Sequence, residues 1–137
     1  MNKKVIERML PEALSALQKA PRPYTLLNSR GAIPKSYRAA ISSFGAAVTM
    51  GSFRAAVAFF SKDADQGKSG ISRSRLLSLM YYLYSQSKGE AVWLEPAQVC
   101  EEVISCHDDE KVREMEHLFL HASVALKLAM NAFELSR

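Results

Sequence analysis

The sequence predicts an all-α fold, a single-domain helical bundle of about six helices over residues 1–137. Three observations carry that reading. Apolar residues recur at helical spacing along nearly the whole chain. Most of the Pro, Gly and Asn residues gather between those runs. No segment alternates apolar and polar residues for long enough to make a useful strand, and neither an internal repeat nor a low-complexity tract is present. The 137 residues are 48% hydrophobic and 23% charged. A chain of that size and composition buries one real core without disulfides or metal.

The elements follow in order. Asn2 caps a first helix over about Lys3–Lys19, which Pro11 should kink or split because it removes a backbone donor. Pro21, Pro23, Asn28 and Gly31 mark a basic loop. Ile33-Pro34 opens the second helix, with Pro34 in its first turn, and Gly51 stops it after Met50. Ser52 caps a short helix through Phe60 whose Phe53, Val57 and Phe60 form a core stripe. Residues 61–70 read as a polar loop, and Ser72 caps a Leu-, Met- and Tyr-rich helix to about Gln86 that Lys88-Gly89 breaks. Pro96 begins a helix to about His107. Asp108 or Asp109 then caps a long last helix to Leu135, apolar on more than one side and so in need of cover on more than one side.

Charge is polarised. Residues 1–88 carry 14 Lys/Arg against 4 Asp/Glu, whereas residues 89–137 carry 4 against 10. The segment from Ala13 to Lys62 has no acid at all. Such a distribution suits a polyanion on one side, and equally a head-to-tail contact between copies of the chain. The longest uncharged run, Ala39–Phe53, is 15 residues long with hydroxyls and two glycines, too short and polar to span a bilayer. The first residues lack an apolar signal region, and two cysteines fit a reducing, cytoplasmic setting.

Catalytic patterns are weak. Gly67-Lys68-Ser69 lacks the earlier glycine and the strand that a phosphate-cradling loop needs. Glu114, His117 and His121 share a helix face, yet the general base of a zinc-protease motif is missing, so the two histidines read as exposed surface residues. Cys100 and Cys106 are about 240° apart around a helix and should not share a bridge or a metal. The Gly51-Ser52 joint admits a DNA-reading helix pair, but only Arg54 in its second helix could read a base edge. No metal, cofactor or catalytic residue is implied.

The helix opened by Pro34 is more informative. Ile41, Phe44 and Val48 fall within about 40° of Tyr37 and form with it the buried stripe. Lys35, Arg38, Ser42, Gly45 and Thr49 form a neighbouring face, basic at one end and small or hydroxylated along its length. Arg and hydroxyl groups suit phosphate oxygens.

From Ala32-Ile33-Pro34-Lys35-Ser36-Tyr37 through Met50-Gly51-Ser52-Phe53 to Ala58-Phe59-Phe60-Ser61-Lys62, followed by Leu76-Leu77-Ser78-Leu79-Met80-Tyr81-Tyr82-Leu83-Tyr84, the chain resembles the small helical subunit of the type III-B CRISPR-Cas (Cmr) effector complex. The likeness covers roughly residues 30–86 and the six-helix outline. Met50 and Ser52 stand where that family commonly has Asn and Leu, and Ala125-Leu126 is not followed by the family's late Trp. The resemblance implies a non-catalytic subunit in antiviral defence. It would stack in a short filament of its own copies beside the backbone and large subunits and contact guide/target RNA through a basic face. Arg30, Lys35, Arg38, Arg54 and Lys62 are the expected phosphate contacts, with Lys68, Arg73 and Arg75 behind them. The alternatives are a helical adaptor that binds only protein and a small metal enzyme using Glu114, His117 and His121.

Overall fold

A computed structural model describes residues 2–62 and 72–136. It contains six helices: α1 (Lys3–Lys19), α2 (Ser36–Met50), α3 (Phe53–Phe60), α4 (Ser74–Ser87), α5 (Pro96–Ser105) and α6 (Asp109–Ala129). A 3-10 turn, Met130–Ala132, extends α6, and two-residue strands β1 (Ile33–Pro34) and β2 (Leu135–Ser136) pair in parallel. No helix among the described residues is long and apolar enough to cross a membrane.

Local chemistry sets most of the boundaries. The Asn2 carboxamide oxygen accepts the Lys4 and Val5 N–H groups, Ser52 Oγ accepts from Ala55 at 3.0 Å, and Asp108 accepts from Glu110 and Lys111. Each side chain takes up donors that the first helical turn leaves unpaired. Glu95 and Gln98 close a reciprocal box at the start of α5, with Pro96 in its first turn. Gly89, at φ +85°, turns the chain after α4 in the left-handed region that glycine enters without penalty.

Four boundaries depart from the sequence reading. Pro11 does not split α1, which runs through it. Glu7, whose carbonyl loses the bond, and Pro11 are both exposed, so water can replace the missing donor. Ile33-Pro34 does not open α2 but pairs with Leu135–Ser136, and the helix begins at Ser36. A residue before proline favours extended backbone, which suits the strand. α4 starts at Ser74 with Arg73 in the N-cap position, later than expected. α6 ends at Ala129, because residues 134–136 are drawn out to meet β1.

Helix α6 is the axis. It packs on α1, α4 and α2, while α3 and α5 pack on each other. That accounts for its width of apolar surface: Val112, Met115, Phe119, Ala122, Ala125, Leu126 and Ala129 are all buried in one core shared by the six helices. Phe119 is wholly buried and meets Phe53 edge-on at 5.2 Å, Tyr84 at 5.7 Å and Tyr81 at 6.3 Å. One ring thus joins α3, α4 and α6. Phe44 and Phe60 make a second edge contact, at 5.3 Å, between α2 and α3. Such pairs add about 0.5–1.5 kcal/mol beyond area burial.

The segment between α4 and α5 is pinned by hydroxyls and rings. Ser78 Oγ donates to the Leu94 carbonyl at 2.8 Å, and Ser85 Oγ accepts from the Val92 N–H at 3.1 Å. Trp93, the one tryptophan, lies nearly parallel to Tyr82 at 4.0 Å and to Tyr24 at 5.1 Å. Tyr24→Ala is expected to shift Trp93 emission to the red and lower stability by about 1 kcal/mol, the contribution of one stacked ring. An emission spectrum paired with a urea titration reads both; unchanged emission would contradict the stacked arrangement.

Tyr81 donates its hydroxyl to Glu102 at 2.9 Å, linking α4 to α5. Burial, then the Glu102 hydrogen bond and charge, push its pKa well above the ordinary value of 10.0. The unfolded phenol ionises near 10.0 while the folded one stays neutral. Its contribution is therefore complete below that pH and is lost as pH rises past it. The urea midpoint should fall between pH 9 and 11 by less in Tyr81→Phe than in the unsubstituted protein (a pH range set around the usual tyrosine value, roughly 10).

Candidate nucleic-acid interface

The N-terminal end of α2 places Lys35 and Arg38 one turn apart, and the last turn of α6 brings Lys127 beside them. The three cations line a shallow cleft of about 480 Å³, with Ser36, Ser42 and Leu135 completing its walls. Lys35 is exposed and Arg38 and Lys127 are half-buried. None of the three lies within ion-pair distance of a carboxylate among the described residues, where Lys88 and Glu114 make the one ion pair. The buried stripe of α2 holds the helix in place: Tyr37, Ile41 and Phe44 face the core, and Ser42, Ser43 and Thr49 lie exposed. The hydroxyls of Ser42 and Thr49 donate back to the Arg38 and Gly45 carbonyls within α2.

Among the described residues, the cations expected to contact phosphate differ in what they are bonded to. Lys35 and Arg38 stand together. Arg54 follows the far end of α2, roughly 22 Å away by the helix rise. Its Nη2 donates to the Cys106 carbonyl at 2.7 Å, tying α3 to the turn before α6. Arg75 Nη1 donates to the Thr25 carbonyl at 2.6 Å and holds the proline-rich loop against α4. Arg73 donates to the Phe59 carbonyl at 3.2 Å and lies 4.0 Å over the Phe59 ring. These three arginines have structural work inside the fold. Arg38 spends no nitrogen on a protein acceptor among the described residues, and its Nε is buried without a partner. Arg30 and Lys62 are exposed, on the loop before β1 and just past α3. Lys68, with the Gly67-Lys68-Ser69 motif, lies outside the described residues.

No family model, curated protein or solved structure matches the chain.

Lys127 escaped the sequence reading because it sits in the acidic half of the chain. One signal for it existed: it is the single charged residue between Glu116 and Glu134. A lone lysine in an apolar helix needs a route to water, and the cleft provides it.

The histidine site resolves differently. His117 is exposed as expected, but His121 is only 2% exposed and is not a surface residue. Its Nε2 accepts the Asn2 N–H at 3.1 Å, and its Nδ1 lies 2.6 Å from the His117 carbonyl. An accepting Nε2 leaves the proton on Nδ1, which donates to that carbonyl. Nε2 thereby joins the start of α1 to α6, while Nδ1 is used within α6 itself. Among the described residues, no group of three His, Cys, Asp or Glu side chains is placed to hold a metal ion. Cys100 and Cys106 are free thiols.

Proposed function

We propose that this chain is a non-catalytic, RNA-contacting small subunit of a type III-B CRISPR effector complex in the cytoplasm. In this reading it stacks with copies of itself along the backbone subunits and holds guide or target RNA by its phosphates. One observation carries the RNA part: Lys35, Arg38 and Lys127 converge on an open cleft, and none of them is paired with a carboxylate among the described residues. Cations left unpaired around a cleft attract a phosphate chain without regard to its bases. The resemblance over residues 30–86 supplies the assembly.

Three neutralised phosphates give a single-strand salt slope of about −2. Affinity for a 20-nucleotide polyuridine should then fall about 20-fold between 50 and 200 mM salt. A salt-independent affinity would remove the cleft as the contact. The assembly is tested by tagging the chain in the cells that make it and sequencing the RNA it retains at low salt. Guide RNAs bearing repeat-derived ends are expected, together with backbone subunits; their absence would overturn the assignment.

A helical adaptor that binds only protein is the competing reading. Met50, Phe59 and Ile104 favour it, being 88%, 56% and 47% exposed. Partner retention that survives ribonuclease, with no RNA bound at low salt, would decide for it.

A further inference from the structure

We infer that Asn28 is the positioning residue of the cationic cleft, acting through Ser136; the inference rests on the RNA reading of that cleft. Asn28 belongs to the loop before β1 and does not line the cleft. Leu135 does, together with Lys35 and Arg38. What fixes that wall is the pairing of β2 with β1, and the pairing is minimal. Pro34 has no N–H, so the strand's donors are Ile33, to the Glu134 carbonyl at 2.9 Å, and Lys35, to the Ser136 carbonyl at 2.6 Å. Two residues per strand are far below what holds a sheet alone.

Asn28 adds a side-chain tie to the backbone bonds of the pair. Its Nδ2 donates to Ser136 Oγ at 3.1 Å. Its Oδ1 accepts from the Arg30 N–H at 2.9 Å and the Ala32 N–H at 3.0 Å, and its own N–H donates to the Ala32 carbonyl at 2.8 Å. The amide can be oriented only one way, because the reverse would aim an NH2 group at two N–H donors. Gly31, at φ +74°, lets the loop curl around this side chain. Asn28 thus locks the residues leading into β1 and grips β2 with the same group. The backbone of Lys35 and the wall at Leu135 are held in one register with respect to each other.

The test measures polyuridine affinity and its salt slope by fluorescence anisotropy, with circular dichroism as the check on folding. Ser136→Ala removes one acceptor at a surface strand. It should weaken binding about five-fold, the equivalent of one ordinary hydrogen bond, and flatten the slope by about 0.7 as one phosphate contact is lost. Asn28→Ala should do the same or more, and the two together no more than Asn28→Ala alone, because they break one tie. Ser136→Thr, which keeps the hydroxyl, should restore both affinity and slope. A purely structural loss would lower the folded fraction and leave the slope unchanged. If Lys35→Glu with Arg38→Glu leaves the slope untouched, the RNA reading itself fails. If that pair flattens the slope while Ser136→Ala and Asn28→Ala leave it unaltered, the RNA reading stands and the role of Asn28 is overturned. Should Asn28→Ala fail to fold, Ser136→Ala and Ser136→Thr decide.

Discussion

Lys35→Glu combined with Arg38→Glu should weaken binding of a 20-nucleotide polyuridine on the order of 100-fold at 50 mM salt, without loss of helix. The magnitude follows from the contacts removed. A charge-assisted hydrogen bond contributes roughly 1.5–3 kcal/mol, and two at the lower end of that range, as suits an open cleft, amount to about two decades in affinity. The salt slope should become shallower by about 1.4 as two phosphate contacts disappear. Helical content should hold, since neither side chain is bonded to a protein acceptor among the described residues and Lys35 is exposed. Anisotropy at several salt concentrations, read beside far-ultraviolet circular dichroism, checks both halves. Arg54→Glu serves as the contrasting arm. It strips the Cys106 carbonyl of its donor, so the expected result is a loss of stability, roughly 1–3 kcal/mol, rather than a change of slope. Equal slopes for the double reversal and the unsubstituted protein would take the cleft out of RNA binding.

Phe119→Ala carries the largest expected effect on stability. The ring is wholly buried where three helices meet, with Phe53, Tyr81 and Tyr84 around it. Truncating a buried Phe costs about 3–5 kcal/mol, because the neighbours close the cavity only in part. Set against a usual stability of roughly 5–15 kcal/mol, that is a large share. The thermal midpoint should fall by roughly 10–20 °C. Leu128→Ala, at the penultimate position of α6 and 44% exposed, should stay within about 0.5 kcal/mol. Calorimetry on the pair is the direct comparison. A Phe119→Ala midpoint close to that of Leu128→Ala would contradict the central packing of α6.

What could be read in advance was whatever neighbours in the sequence decide. Asn2, Ser52 and Asp108 cap helices through donors two or three residues on, and the apolar spacing of α2 and α6 reports the faces they bury. The misread positions depend on partners far along the chain. Pro34 looks like a helix start until Ser136 is seen beside it. His121 looks exposed until Asn2, 119 residues away, is found on its Nε2. The same distance effect divided the candidate cations. Arg54 and Arg75 look like free charges in the sequence, and their carbonyl acceptors lie 52 and 50 residues off. Lys35 and Arg38 share a helix and were found together; Lys127 joined them only through the packing of α6 on α2.

The clasp between β1 and β2 has a bearing on the chain's first seconds. Ile33 meets Leu135 across 102 positions, so the cleft at Lys35 and Arg38 is completed only after residue 135 has left the ribosome. Chains emerge from the ribosome at about 5–20 residues per second and their early parts fold first. A nascent polypeptide that has reached only its basic first 88 residues, amid ribosomal and messenger RNA, therefore lacks β2 and the finished cleft.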